Sequence, residues 1–169
     1  MFSDDGYIFG PSEAVFRAYT RFEAAILQRC GLRIQREKTV IYHRGERPTN
    51  TPAGLKRAGV EIGGVFQAGF ECVGVAIGSP EYVKYFLEKK VDEIGIGAEK
   101  TGSLLEEDLQ AQWTILQAST QQKFGYWLAL QYPSEVQEAA ARLDTILWKA
   151  FEKSVGQHIP RVKEGQGVE

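Results

Sequence analysis

Two adjacent acids, Asp4 and Asp5, stand beside Gly6 near the start of the chain. Carboxylate oxygens are the ligands that a hard cation such as Mg²⁺ selects. A pair of them can serve two ions during phosphoryl or nucleotidyl transfer. Two acids alone make a thin metal site, and neighbouring acids at a turn equally serve as solvated charge. Farther along, Arg33, Arg36 and Arg44 offer guanidinium groups to phosphates. Solvent-exposed decoration is the plain alternative for each of them. They belong to a basic stretch: between Arg17 and Arg57 ten basic residues face three acids, a local charge of +7 in a chain of net charge −2, so the remainder carries −9. A local excess of positive charge bears on a phosphate-carrying partner more than the overall balance does. A solvated helix face and loop would carry the same residues. His43 and His158 have no ligand spacing, which argues against zinc. No nucleophile elbow, Walker A or dinucleotide-binding glycine pattern occurs.

The elements that would position these residues can be read from periodicity. Asp5-Gly6 lies between Met1-Phe2 and Tyr7-Ile8-Phe9, a tight-hairpin signal in which the chain opens inside a structural unit. Ser12 reads as a helix N-cap, Val15, Tyr19, Phe22 and Ile26 follow at helical spacing with Phe16 and Leu27 beside them, and Gly31 ends the helix. Leu32–Ile34 and Val40–Tyr42 read as short strands around a turn at 35–38. Residues 43–54, with two prolines, Asn50 and Gly54, read as a loop. Two short strands flank Gly63-Gly64, and Phe70–Ile77 alternates as a strand does. Ser79-Pro80 opens a helix with Val83, Phe86, Leu87 and Val91 inward. Leu105, Leu109, Trp113 and Leu116 mark another, extending through Phe124, Trp127 and Leu128. Pro133-Ser134 opens the last, with Val136, Ala140, Leu143, Leu147 and Phe151 in phase until Gly156. Trp113, Trp127 and Trp148 are packing residues on this reading, and the residues after Pro160 form a mobile polar tail.

At 169 residues, 43% apolar and 25% charged, the chain suits one globular domain with a short appendage. No apolar run approaches the ~20 residues needed to span a bilayer, and no signal peptide opens the chain, so an intracellular protein without a membrane role is expected. Cys30 and Cys72 read as core thiols, with a disulfide as the lesser reading.

The order of several motifs adds to this. Phe2-Ser3-Asp4-Asp5 resembles the aromatic-x-Asp-Asp turn of reverse transcriptases, their motif C. The helix after it, then Gly31-Leu32-x-Ile34-Gln35-x-x-Lys38-Thr39, resembles motif D of the non-LTR retroelement enzymes. Cys72-Val73-Gly74-Val75-Ala76-Ile77-Gly78 resembles the hairpin called motif E, the primer grip. The resemblance covers residues 1–78 and is vague beyond. It implies an α+β fold: a partial polymerase palm at 1–78, built of a β-hairpin, a helix and a small antiparallel sheet, then a helical thumb- or connection-like region at 79–156 and the tail at 157–169.

The resemblance also implies roles. Asp4 and Asp5 match the metal-binding pair that holds Mg²⁺ while a primer 3′-hydroxyl attacks the α-phosphate of a nucleotide. Lys38 matches the lysine that helps protonate leaving pyrophosphate; as plain structure it is a surface lysine at a strand end. Gly74 and Gly78 match positions where backbone approaches the primer, and a bulge or turn would use them equally well. The partner implied is a nucleic-acid primer–template, and nuclear residence would follow without a basic import signal to direct it. The chain departs from the family in holding neither the motif A aspartate nor motif B, in Phe2 and Ser3 for the usual Tyr and Ala, and in Gln35 for the frequent Asn. It therefore reads as an inactive fragment whose uncovered apolar surface awaits a missing N-terminal palm or another protein. A non-catalytic α+β module binding nucleic acid or protein is the alternative.

Overall fold

The computed structural model describes residues 6–44, 50–104 and 108–156, and Asp4 and Asp5 lie outside them. The chain divides into two compact units, Met1–Phe70 and Glu71–Glu169. The class is α+β, as expected, with a parallel strand pair besides a small antiparallel sheet.

In the first unit, Tyr7–Phe9 carries no strand, and the Asp5 side of the expected hairpin falls outside the described residues. Tyr7 and Phe9 instead stack on each other at 6.3 Å. Helix α1, Ser12–Cys30, is capped by Pro11 in an extended conformation, so Ser12 is the first helical residue and not the cap. No side chain caps this end. At the other end Gly31 takes a left-handed φ of 68° and its N–H reaches the Leu27 carbonyl at 3.1 Å. A side chain would resist that backbone, which is why Gly stops the helix. The predicted apolar face is only partly covered. Tyr19 is buried and Val15, Phe16 and Ile26 are half-buried, but Phe22 is 50% and Leu27 48% exposed.

Leu32–Ile34, expected as a strand, is none. The chain closes at once into a turn in which the Gln35 carbonyl accepts from the Lys38 N–H, the Thr39 N–H and the Thr39 hydroxyl. The tight reversal leaves no ladder for residues 32–34 to join. Val40–Ile41 (β1) pairs in parallel with Lys56–Arg57 (β2), Val40 opposite Lys56. Next come Gly59–Ile62 (β3), Val65–Cys72 (β4) and Val75–Gly78 (β5), in the order β3-β4-β5. The β3–β4 pair is antiparallel, with Gly59 opposite Ala68. Phe70–Ile77 is thus not one strand: Val73-Gly74 breaks it into a hairpin, as Gly63-Gly64 does before β4. Both loops hold two consecutive positive φ values, 56° and 81° then 51° and 79°, the pattern whose twist suits two-residue hairpins.

The second unit, which begins at Glu71 near the end of β4 and includes β5, is otherwise helical. Ser79 caps α2, Pro80–Leu104, its hydroxyl accepting from the Tyr82 N–H at 3.2 Å. All four residues expected inward are buried, Leu87 and Val91 completely, and Ile94 and Ala98 continue the stripe. Asp108 caps α3, Leu109–Ile115, by accepting from the Ala111 N–H. A π-helical turn, Leu116–Gln121, then joins α3 to α4, Gln122–Leu130. This is the long helix expected, and Leu116 and Phe124 are buried as read, but Leu109, Trp113 and Leu128 are half exposed and Gln112 is buried in addition. Leu105 falls outside the described residues. The helix α5, Pro133–Val155, begins with Pro at its first turn and ends at a left-handed Gly156, as read from sequence. Val136 and Leu143 are buried with Ala139, while Ala140 is half-buried. Lys84–Glu138 and Arg142–Asp92 ion pairs tie α2 to α5 at the surface. Trp113 and Trp148 each pack a ring against Phe151.

Cys30 is exposed and Cys72 half-buried, both free, so Cys30 is not the core thiol expected. It lies on the last turn of α1, where little packs over the helix. Among the described residues no helix is long and apolar enough to cross a membrane.

Candidate nucleic-acid interface

The loop that follows α1 carries three of the residues singled out for phosphate or catalytic contact, and it uses them differently. Arg36 is exposed but bonded along the protein surface. Its Nε and Nη2 donate to the two Glu23 carboxylate oxygens at 2.7 and 2.6 Å, and its Nη1 donates to the Ala53 carbonyl at 3.2 Å. One guanidinium thus joins α1, the turn and the segment before β2. The planar fork suits a carboxylate and binds it at two points. Arg36 holds the Glu23 carboxyl below the usual range, and Glu23 pushes the already basic guanidinium higher. Tyr19 sits beside them; burial first, then the Glu23 charge, raises its phenol. Its hydroxyl has no hydrogen-bond partner among the described residues. Arg36 is therefore a tether in this structure, and its donors face protein.

Arg33, Lys38 and Arg44 are exposed and make no ion pair among the described residues. Arg33 and Lys38 flank Arg36 in the same loop, Lys38 at the end of the turn, while Arg44 lies beyond β1. Arg57 lies over the Phe66 ring, 4.4 Å from its centroid. Asp4 and Asp5 are outside the described residues, and among those described no group of three or more His, Cys, Asp or Glu side chains is placed to hold a metal.

The hairpin that carries Gly74 and Gly78 is held from behind by helix side chains. The Tyr126 hydroxyl donates to the Val73 carbonyl at 2.7 Å, the Trp127 indole to the Gly74 carbonyl at 2.7 Å, and the Gln131 amide to the Ala76 carbonyl at 2.8 Å. Three backbone acceptors of the turn and β5 are thereby satisfied by α4 and the residue following it. A Cβ at Gly74 would make only an ordinary 3.5 Å contact with the Tyr126 ring, so its φ of 79° and not crowding favours glycine there. Gly78 is the half-buried last residue of β5. Val73, at the tip, is a β-branched residue at φ 51° and 72% exposed. The Trp127 ring also packs edge-on against Phe124 and lines a cleft of about 300 Å³ with Lys123 and the paired Lys90 and Glu93.

Sequence reasoning missed Tyr126, Trp127 and Gln131 as hairpin supports. One signal was present: Trp127 and Gln131 are four apart, so they share a helix face that mixes apolar and amide groups. Nothing in the spacing of Glu23 and Arg36 foretold their pairing. No protein-family model matches the chain, nor does any curated protein or solved structure.

Proposed function

We propose that this chain is the C-terminal palm and following helices of a reverse transcriptase of the non-LTR retroelement type, a fragment without polymerase activity on its own. The reading rests on the order of elements. A helix ended by a left-handed Gly31 leads into a turn that presents Lys38. After a β meander comes a two-residue hairpin at Val73-Gly74, and then helices. That is the order in which the family carries its motifs D and E and its thumb. Arg33, Lys38 and Arg44 offer exposed cations to a phosphate backbone. Arg36 keeps the loop of Arg33 and Lys38 against α1.

Asp4 and Asp5 would hold Mg²⁺ together with an acid from another segment, since the described residues offer no such cluster. When bound, the ion would supply charge stabilisation for nucleotidyl transfer. The chain's own part would be to present the two carboxylates, Lys38 and the hairpin.

The test has two arms. Primer extension with Mg²⁺ by this chain alone gives no incorporation on this reading. Incorporation by the chain alone that disappears in both Asp4→Ala and Asp5→Ala would overturn the inactive-fragment part and keep the family. The second arm is the DNA preceding the Met1 codon. A translated strand bearing an Asp, followed by a Gly-rich segment, supports the reading. A start site with nothing related before it, together with no binding of an RNA–DNA hybrid, leaves the alternative of a non-catalytic interaction module.

A further inference from the structure

We propose that the cleft between α2 and the π-helical turn with α4 binds a small phosphorylated polyol, of the sugar-phosphate class. The site lies within the helical unit and does not depend on the polymerase reading. The cleft has a volume of about 300 Å³, at the lower end of the range for small-molecule pockets. Helical spacing builds both walls. Ser119, Lys123 and Trp127 follow one another at intervals of four and share a face, and Lys90, Glu93, Gly97 and Thr101 form the facing stripe on α2. Gly97 keeps the space open, since a Cβ there would meet nothing within 4 Å.

Two features point to an anion. The first is Lys90, whose side chain is only 23% exposed. Its ammonium lies 5.3 Å from the Phe86 ring centroid and 3.4 Å from the Glu93 carboxylate, a long contact for a charge-assisted bond. An ammonium has three donors, and one so far withdrawn from water gains from further oxygens. Lys123, on the opposite wall, makes no ion pair among the described residues, so two lysines meet one glutamate in the cleft. The second feature is Ser119. Hydroxyls inside helices bond the carbonyl four residues back, as those of Thr20, Thr114, Thr145 and Ser154 do here. Ser119 makes no such bond among the described residues. It sits in the π-helical turn, a departure from the α-helix that is frequent at functional sites, and its hydroxyl is left to donate into the cleft. Acceptors for ligand hydroxyls stand on the other wall. The Thr101 hydroxyl donates to the Gly97 carbonyl at 3.0 Å, so its oxygen offers lone pairs, and Glu93 adds a carboxylate. The Trp127 indole N–H is committed to the Gly74 carbonyl, which fixes the ring as an apolar wall for the C–H face of a sugar.

Isothermal titration calorimetry of the full chain with glucose 6-phosphate, inorganic phosphate and glucose tests the proposal. Wild type should bind glucose 6-phosphate saturably and more tightly than inorganic phosphate, and should not bind glucose. Lys123→Gln should weaken glucose 6-phosphate about tenfold, and Ser119→Ala about threefold. Glu93→Gln should weaken glucose 6-phosphate while inorganic phosphate binds no worse, because only the sugar hydroxyls use that carboxylate. Gly97→Leu fills the cleft without touching a charge and should abolish binding with the helical circular dichroism retained. Lys89→Gln, exposed on α2 outside the cleft, should bind as wild type does. A wild-type chain with no saturable binding of glucose 6-phosphate would overturn the proposal, as would Lys123→Gln and Gly97→Leu proteins that bind like wild type. It would also fall if a DNA oligonucleotide bound in a Lys123-dependent way while glucose 6-phosphate did not, since the cations would then serve a strand. Failure of the sugar-phosphate site leaves the polymerase reading as it stands.

Discussion

Deleting Ser119, inside the π-helical turn, should leave the helical unit folded, whereas inserting one residue at the same place should damage it. The reason is angular. Leu116 and Phe124 are both buried, at 6% and 2% exposure, although eight residues separate them. At about 100° per residue, eight residues overshoot two α-helical turns by about 80°. The π-turn Leu116–Gln121 absorbs the extra residue and brings Phe124 back to the inner face. Removing one residue leaves seven, which fall short of two turns by only about 20° and need no π-turn. The thermal midpoint should then stay within about 4 °C of wild type, a change below ~1 kcal/mol for a unit of this size. An insertion turns Phe124 by about 100° unless a second bulge forms. Exposing its ring costs about 2 kcal/mol. The midpoint should fall by roughly 8–16 °C. Thermal melts followed by circular dichroism read both. Equal damage from deletion and insertion would refute the register reasoning.

Other consequences are more local. Leu87→Ala, at a residue with no exposed surface, should cost about 2–5 kcal/mol in denaturant unfolding of the helical unit. Gly59→Ala and Gly97→Ala should differ in sign. At Gly59, φ 155°, a Cβ would lie 2.4 Å from the Gln67 carbonyl oxygen, so the β3–β4 ladder should open and its amides exchange faster. At Gly97 nothing lies within 4 Å, and Ala should stabilise α2 by about 1 kcal/mol. The Glu23 carboxyl sits below its ordinary value because Arg36 bonds it. Its stabilising contribution is thus complete above the ordinary carboxylate range and is lost as pH falls through the lower folded value. Exchange of the Lys56 amide, bonded to Thr39 beside the tether, should quicken across that acid window in wild type and lose this dependence in Arg36→Gln.

The helical half was legible because its signals are local. Ser79-Pro80, Pro133 and Gly156 act within a turn of where they stand, and the stripe from Val83 to Val91 repeats at the helical period. What periodicity could not show was a change of period. The stretch from Leu109 to Phe124 reads as one helix, and the inserted residue of a π-turn is silent in the pattern although it returns Phe124 to the face of Gln112 and Leu116. The β half failed where pairing decides. Leu32–Ile34 has strand-like alternation, but a ladder needs a partner, and the Gln35 turn denies it one. Of the candidate site, positions in chain order were readable: Gly31 as a stop, the turn before Lys38, Gly74 in a hairpin. Which cations are used internally was not, since the Arg36–Glu23 contact joins residues with no periodic relation. The same holds for the helix side chains on the hairpin, which meet it from across the fold of the second unit.

The parallel pairing of β1 with β2 has a kinetic side. Antiparallel neighbours joined by two residues can zip from the bend outward, and β3, β4 and β5 are joined in that way. Parallel neighbours cannot, because the chain must first travel back along its own length. The connection from Tyr42 to Leu55 makes that journey without a helix among its described residues. Its closure must be met before the few bonds between Thr39–Ile41 and Lys56–Ala58 return anything. These bonds should therefore form later than the β3–β4 and β4–β5 hairpins as the chain folds.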